Sequence, residues 1–151
     1  MRKPFWILFL VALAAIGGYT FTFVTGANAI VFEPMTIEEA LEEARAQDKP
    51  VFVSFYTGWC MTCRSMMGGT YREPGVVAYF NEAFINLSID AENPDYGLQA
   101  AADFNVTAYP TLIFLSPDGE VLFRDTRFFD GDTFLRLGNS VTRRMQAAAS
   151  P

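Results

Sequence analysis

Two cysteines, Cys60 and Cys63, are the residues of this sequence whose type and spacing point most directly to chemistry. They are the only cysteines in the chain, and Met61 and Thr62 separate them. Residues i and i+3 in the first turn of a helix lie on the same side, so their sulfur atoms can bond with little backbone movement. The spacing therefore predicts a redox-active dithiol that alternates between a reduced form and a disulfide.

The position of the pair predicts which cysteine reacts first. The apolar run Val51–Tyr56 is typical of a strand buried on both faces, and it ends just before the cysteines. A helix that starts there places Cys60 beside free backbone N–H groups and the positive end of the helix dipole, which favour a thiolate. We expect Cys60 to attack a substrate disulfide, and the deeper Cys63 to resolve the mixed disulfide that forms.

Three other uses of the cysteines fit the sequence less well. A structural zinc site needs about four Cys or His ligands, and the chain has two cysteines and no histidine. A purely structural disulfide would close too short a loop to stabilise the fold much. Copper(I) could use the thioethers of Met61, Met66 and Met67, although methionines on a helix more often fill a core. We therefore expect a dithiol site without a metal or other cofactor.

Composition limits the class of protein further. The chain has 151 residues, of which 51% are hydrophobic, as is typical of one folded domain with its own core. Its formal net charge is −6, and no cluster of Lys and Arg is present, which argues against nucleic-acid binding. The absence of histidine excludes mechanisms that use imidazole as an acid, a base or a ligand.

The N-terminus resembles an export signal. Two basic residues precede an apolar run, residues 5–24, and the small-x-small sequence Ala27-Asn28-Ala29 follows. The run of about 20 residues is also long enough to span a bilayer. Residues 1–29 are therefore either a cleaved signal peptide or a retained membrane anchor. In both cases we expect residues 30–151 to form one domain in the periplasm or another extracytoplasmic, oxidising compartment.

Local patterns predict a mixed sheet with helices on both faces. Thr36 and Glu39 form a capping box, which predicts that a helix starts there. Four strands are predicted at residues 51–56, 84–89, 111–115 and 121–123, with a hairpin turn at 116–119 and a helix at 94–104. Asp132 is predicted to cap the closing helix. The resulting order β-α-β-α-β-β-α indicates a single α/β domain.

These residues resemble a known family. The run Gly58-Trp59-Cys60-Met61-Thr62-Cys63 at a strand-to-helix junction, followed by Tyr109-Pro110-Thr111, is similar to the thioredoxin family over about 100 residues. Within that family the chain looks most like the C-terminal periplasmic domain of the disulfide reductase DsbD. That similarity runs through Arg72-Glu73-Pro74 and residues 114–119.

The resemblance implies a fold, a substrate class and a binding site. The fold would be the thioredoxin fold, a central mixed β-sheet flanked by helices, here following an N-terminal hydrophobic segment. Pro110 would be cis and lie against the dithiol, Tyr109 would offer its backbone to an incoming peptide, and Trp59 would line the same surface. The substrates would be protein disulfides, and a membrane protein would supply the electrons.

Two departures from the family pattern concern proton transfer. Ser54 replaces the buried acid that thioredoxins commonly have six residues before the first cysteine, and Met67 replaces an acid that follows it in DsbD-like domains. A serine does not accept a proton at neutral pH. The sequence therefore predicts an exported thiol–disulfide oxidoreductase that reduces protein disulfides, with two alternatives left open. These are an oxidant or isomerase using the same site, and a non-catalytic binding module.

Overall fold

The computed structural model describes residues 27–149. The helices are α1 (Ile37–Gln47), α2 (Met61–Gly68), α3 (Pro74–Ala83), α4 (Gly97–Asp103) and α5 (Gly131–Ala149), and the strands are β1 (Val51–Tyr56), β2 (Ile85–Asp90), β3 (Thr111–Leu115) and β4 (Val121–Asp125). A 3₁₀ turn, Thr70–Arg72, joins α2 to α3. The predicted signal or anchor segment, residues 5–24, lies outside the described residues. Among the described helices, none is both long enough and apolar enough to cross a bilayer.

The four strands form one mixed sheet in the order β2-β1-β3-β4. Strand β1 runs parallel to β2, with Val51 opposite Ile85, and antiparallel to β3, with Phe55 opposite Thr111. Strands β3 and β4 form the antiparallel hairpin that the turn sequence predicts. The prediction of a mixed sheet is therefore confirmed. The nearly continuous apolar sequence of β1 follows from its central position, since a strand covered on both faces has little contact with water.

Helices cover both faces of the sheet and bury two hydrophobic cores. The first core lies between the sheet and helices α1 and α4. The second core lies on the opposite face, against α2, α3 and α5, and is rich in aromatic rings. Its central rings belong to Phe52, Phe80, Phe114 and Phe134. The rings of Phe80 and Phe134 stack with their centroids 4.4 Å apart, which fixes α3 against α5.

The start of α1 agrees with the sequence prediction, whereas the starts of α4 and α5 differ from it. The predicted capping box is present, because the Glu39 N–H donates to Thr36 Oγ1 at 3.2 Å and the Thr36 N–H donates to the Glu39 carboxylate at 2.8 Å. Helix α4 starts at Gly97, three residues later than predicted. The reason is a local turn in which the Asp95 N–H donates to Asn93 Oδ1, since such turns compete with helical hydrogen bonds.

The predicted cap of the closing helix was wrong by two residues. Asp130, not Asp132, caps α5, because its carboxylate accepts hydrogen bonds of 2.9 Å from both the N–H and the hydroxyl of Thr133. A capping residue must precede the first helical residue, and α5 already begins at Gly131. Asp132 therefore lies inside the first turn, where its charge interacts favourably with the helix dipole but does not cap.

Glycine is required where α4 meets the end of β2. Gly97 is buried, and a Cβ atom at this position would overlap the carbonyl oxygen of Asp90. That oxygen belongs to the main chain and cannot swing away as a side chain would. The backbone of α4 can therefore approach the sheet this closely only without a side chain at residue 97.

We predict that Gly97→Ala destabilises the fold by about 1–3 kcal/mol, because the backbone must shift to make room for the methyl group. Urea unfolding followed by far-UV circular dichroism measures the loss. Gly68→Ala is the matched control, since Gly68 lies in a helix and a Cβ there would meet nothing within 4 Å. Equal stability of the two variants would contradict the proposed close approach.

Candidate active site

The dithiol lies at the junction between β1 and α2. Cys60 is the N-cap of α2, its backbone is extended, and its N–H donates to the Thr57 carbonyl at 3.2 Å. Cys63 follows in the first turn, and its N–H donates to Cys60 Sγ at 3.1 Å. The two residues are joined by a disulfide, with their Cα atoms 5.3 Å apart. The structure therefore places both cysteines together at a helix N-terminus, as their spacing predicts.

The two cysteines are almost equally buried, whereas the sequence predicted that Cys63 lies deeper than Cys60. Cys60 is 4% exposed and Cys63 is 3% exposed, so the disulfide form does not show the clear difference in depth that the sequence suggests. The covalent bond accounts for this, since it draws Cys60 Sγ back over the helical turn towards Cys63. The side chains on either side of Cys60 are instead exposed, Trp59 by 63% and Met61 by 69%.

Trp59 is held by two contacts from other parts of the chain. Its indole N–H donates to Glu92 Oε1 at 3.0 Å, and its ring meets the edge of the Tyr109 ring at a centroid distance of 5.8 Å. Glu92 is not among the site residues predicted from the sequence. A signal was present, because the carboxyl ends of parallel strands meet at one edge of a sheet, and Glu92 follows β2 as Trp59 follows β1.

The loop before β3 lies at the same end of the sheet. Because β3 runs antiparallel to β1 and Thr111 pairs with Phe55, the residues that precede β3 are neighbours of those that follow β1. The Tyr109-Pro110 peptide bond is cis, which confirms the expectation drawn from the resemblance. Pro110 is buried and Tyr109 is half-buried. The Thr111 hydroxyl donates to the Ala108 carbonyl at 2.6 Å and fixes the end of this loop.

A pair of neutral hydroxyl groups occupies the position where the family has a buried acid. Ser54 is 2% exposed, and its Oγ lies 3.0 Å from the Tyr71 hydroxyl. Burial raises the pKa of Tyr71 well above its ordinary value, although the hydrogen bond with Ser54 opposes this shift. Neither group therefore accepts a proton at neutral pH. Met67, at the second position without the expected acid, packs against the aromatic core.

The methionines near the dithiol do not form a common sulfur site. Met66 is fully buried in the second core, whereas the exposed Met61 accepts a hydrogen bond of 2.9 Å from the Arg64 guanidinium at its thioether sulfur. Within residues 27–149, no group of three or more cysteine, aspartate or glutamate side chains is arranged to hold a metal ion.

A dithiol at the N-terminus of a helix, next to the central strand of a mixed sheet and a cis-proline loop, defines the class of thiol–disulfide oxidoreductases with the thioredoxin fold. A family model described as Thioredoxin-like matches residues 33–117, more than half of the chain. The chain therefore belongs to the thioredoxin-like family, and the predicted fold class is confirmed.

Individual relatives agree with this assignment. The chain is 28% identical over 106 residues to the thiol:disulfide interchange protein DsbD of Pseudomonas fluorescens, a match that covers 68% of this chain and 18% of that protein. The solution structure of a disulphide-isomerase candidate from Bacteroides thetaiotaomicron is 33% identical, with a TM-score of 0.65, and the match covers 77% of this chain and 95% of that one.

The C-terminal domain of DsbD from Neisseria meningitidis, in its oxidised form, shares the fold with a TM-score of 0.59. It is 23% identical to this chain, and the match covers 74% of this chain and 98% of that domain. The resemblance to DsbD that the sequence suggested is therefore confirmed. The chain spans less than a fifth of the length of the full DsbD relative.

We predict that Glu92→Ala frees the indole of Trp59, because the variant removes a hydrogen bond to a charged acceptor. The chain has two tryptophans, so the measurement uses a Trp6→Phe background in which Trp59 is the only emitter. Steady-state fluorescence anisotropy should fall in Glu92→Ala and remain close to the parent value in Glu92→Gln, which keeps an acceptor oxygen. The exposed Glu82, changed to Ala, is the control, and an unchanged anisotropy in Glu92→Ala would contradict the contact.

Proposed function

We propose that this protein is an exported thiol–disulfide oxidoreductase that reduces disulfides in other proteins, with Cys60 as the nucleophile and Cys63 as the resolving thiol. The observation that carries the proposal is the Cys60–Cys63 disulfide across the first turn of α2. This is a form that the reaction itself would produce. The family assignment supports the same chemistry.

The reaction balances within the dithiol. The Cys60 thiolate attacks one sulfur of a substrate disulfide, a mixed disulfide forms, and the first substrate thiolate leaves. Cys63, once deprotonated, attacks Cys60 Sγ and releases the second substrate thiolate. Two electrons pass to the substrate, and Cys60 and Cys63 become the disulfide seen in the structure. An oxidant would run the same exchange steps in reverse. An isomerase would use them to rearrange the disulfides of a substrate.

The hydrogen bond from the Cys63 N–H to Cys60 Sγ supports the choice of nucleophile. A backbone donor at 3.1 Å stabilises a negatively charged sulfur more than a neutral one, and the N-terminus of α2 adds its dipole. The protein assists deprotonation of Cys63 less, since Ser54 and Tyr71 stay neutral and neither accepts the proton. We infer that the resolving proton leaves to solvent or to the departing substrate thiolate.

Substrate binding is assigned to Trp59, Tyr109 and Pro110. The support is their position, because Tyr109 contacts Trp59 and both belong to segments that meet at the dithiol end of the sheet. An extended peptide that bonds to the backbone of the loop before β3 would be recognised mainly through its main chain. Such recognition accommodates many protein substrates.

The electron donor must be another molecule or another domain. Each reduced substrate leaves the dithiol oxidised, and the chain has no third cysteine that could regenerate it. We propose a membrane protein with its own dithiol as the donor. The similarity to DsbD, whose printed name describes thiol:disulfide interchange, supports this choice.

The trapping experiment uses Cys63→Ser, which removes the resolving thiol. We predict that Cys60 then accumulates in mixed disulfides with its natural partners, which mass spectrometry of non-reducing gel bands identifies. Cys60→Ser is the matched control and should trap far less, because its remaining thiol lacks the helix N-cap position. Insulin reduction should fall to background in both variants.

The redox state of the wild-type dithiol in cells distinguishes reduction from oxidation. Alkylation of the wild-type protein in intact cells should find the dithiol mainly reduced. A dithiol found mainly as a disulfide would favour the oxidant instead. Equal trapping by the two serine variants would contradict nucleophilic attack by Cys60 and leave a binding module as the better explanation.

We also propose that the N-terminal segment is retained as a membrane anchor. The peptide bond after Ala29, the predicted cleavage point, is docked on the folded domain. The Asn81 side chain donates to the Ala29 carbonyl at 3.3 Å and accepts from the Val31 N–H at 2.8 Å. Ile30 is 4% exposed, and its N–H donates to the Tyr71 carbonyl at 2.8 Å. Because a peptidase needs an accessible extended strand, cleavage here competes with folding.

We predict that the wild-type protein is extracted from membranes only by detergent and that its intact mass includes residues 1–29. Asn81→Ala removes both side-chain contacts and should increase the fraction that is cleaved after Ala29. Asn139→Ala, which removes an asparagine hydrogen bond within α5, is the control. A soluble wild-type protein that begins at Ile30 would overturn the proposal for an anchor.

A further inference from the structure

Arg124 makes an unusual pair of contacts with the segment that leads to the cis-proline loop. It lies on β4, directly opposite Ile113 of β3. Its Nη1 atom donates to the Phe104 carbonyl at 2.5 Å, and its Nη2 atom donates to the Asn105 carbonyl at 2.7 Å. One planar guanidinium thus holds two consecutive carbonyl groups, a geometry that the single ammonium of a lysine does not reproduce.

The two carbonyl groups lie where helix α4 ends. Asn105 is left-handed, with φ of 50°, and its N–H donates to the Ala102 carbonyl at 2.9 Å. The chain turns away from the helix at this point and enters the segment 105–110. Carbonyls at the end of a helix lack amide partners, and a positive charge there is favourable. Arg124 therefore supplies the donors that define where and in which direction the loop starts.

The far end of the same loop is held by different contacts. The Thr111 hydroxyl bonds to the Ala108 carbonyl, and Pro110 is buried at the start of β3. Tyr109 is half-buried and meets the ring of Trp59. Between the two ends, Thr107 and Ala108 are exposed. Val106 is half-buried against the first core, and its N–H donates to the Ala101 carbonyl at 2.8 Å. The exposed part of the loop is thus held at both ends, and Arg124 contributes the two side-chain hydrogen bonds at the end next to α4.

We propose that Arg124 is a positioning residue that keeps the loop 105–110 in the conformation that binds protein substrates. The inference rests on the proposed function, since it assumes that peptides bond to the backbone of this loop. A loop that is ordered in advance loses less conformational entropy when a peptide binds. A small disulfide without a peptide main chain, such as bis(2-hydroxyethyl) disulfide, needs access only to Cys60 Sγ and has no amide groups that could pair with the loop. Arg124 therefore affects protein substrates selectively.

The test compares Arg124→Ala with Arg45→Ala in the full chain. Arg45 is an exposed arginine whose guanidinium also donates to a backbone carbonyl, that of Pro117, but in the turn between β3 and β4. Both variants lose one positive charge and an arginine-to-backbone contact, two hydrogen bonds in Arg124→Ala and one in Arg45→Ala. Only Arg124→Ala releases the cis-proline loop, so Arg45→Ala controls for charge and for general loosening.

The KM for insulin reduction should rise roughly tenfold in Arg124→Ala, the loss expected for hydrogen bonds from a charged donor. Its kcat and its rate with bis(2-hydroxyethyl) disulfide should stay within about twofold of the wild type, since the dithiol itself is untouched. Arg124→Lys should be intermediate, and Arg45→Ala should match the wild type. An unchanged KM in Arg124→Ala, or an equal loss with bis(2-hydroxyethyl) disulfide, would overturn the proposal.

Hydrogen exchange of the backbone amides of residues 105–109 separates this inference from the proposed function. Exchange should be faster in Arg124→Ala and unchanged in Arg45→Ala, whatever reaction the dithiol catalyses. A wild-type protein that reduces neither insulin nor bis(2-hydroxyethyl) disulfide would refute the proposed function, while the exchange data would still decide whether Arg124 orders the loop. Unchanged exchange in Arg124→Ala would refute the positioning role even in an active enzyme.

Discussion

Strand β1 pairs in parallel with β2 on one side and antiparallel with β3 on the other. This pairing brings three separate segments to one edge of the sheet, namely the residues after β1, those after β2 and those before β3. The first carries Trp59 and the dithiol, the second Glu92, and the third Tyr109 and Pro110. The burial of β1 on both faces holds the edge rigid, because its apolar side chains extend into both cores. Each feature of the candidate site depends on this arrangement.

The group that the structure places against Cys60 Sγ is a backbone amide. The negative charge that develops on Cys60 is stabilised by the Cys63 amide and the N-terminus of α2. The buried acid of related proteins is replaced by the hydroxyl pair of Ser54 and Tyr71, which satisfies its own hydrogen bonds and remains neutral. The site therefore stabilises the Cys60 thiolate through fixed backbone dipoles. The Ser54–Tyr71 pair, however, provides no buried base that could remove the proton of Cys63.

Exposed polar side chains, by contrast, hold the surroundings of the dithiol. Glu92 fixes the indole of Trp59, and Arg124 fixes the start of the cis-proline loop. These contacts lie at the surface, where they contribute little to the stability of the core. Their main effect is on the shape of the surface that a substrate would meet. The apolar cores thus stabilise the fold, and a few surface contacts determine the conformation of the surface around the dithiol.

The sequence by itself determined the dithiol, its place at a strand-to-helix junction and the capping box at Thr36, because each depends on neighbours within a few residues. The order of the strands and helices along the chain indicated the mixed sheet. The resemblance to known proteins added the cis bond at Pro110. Only the tertiary structure decided the contacts of Trp59 with Glu92 and of Ser54 with Tyr71, which join residues 33 and 17 positions apart. Such pairs depend on strand register and helix packing, and no local pattern encodes the distance between their side chains.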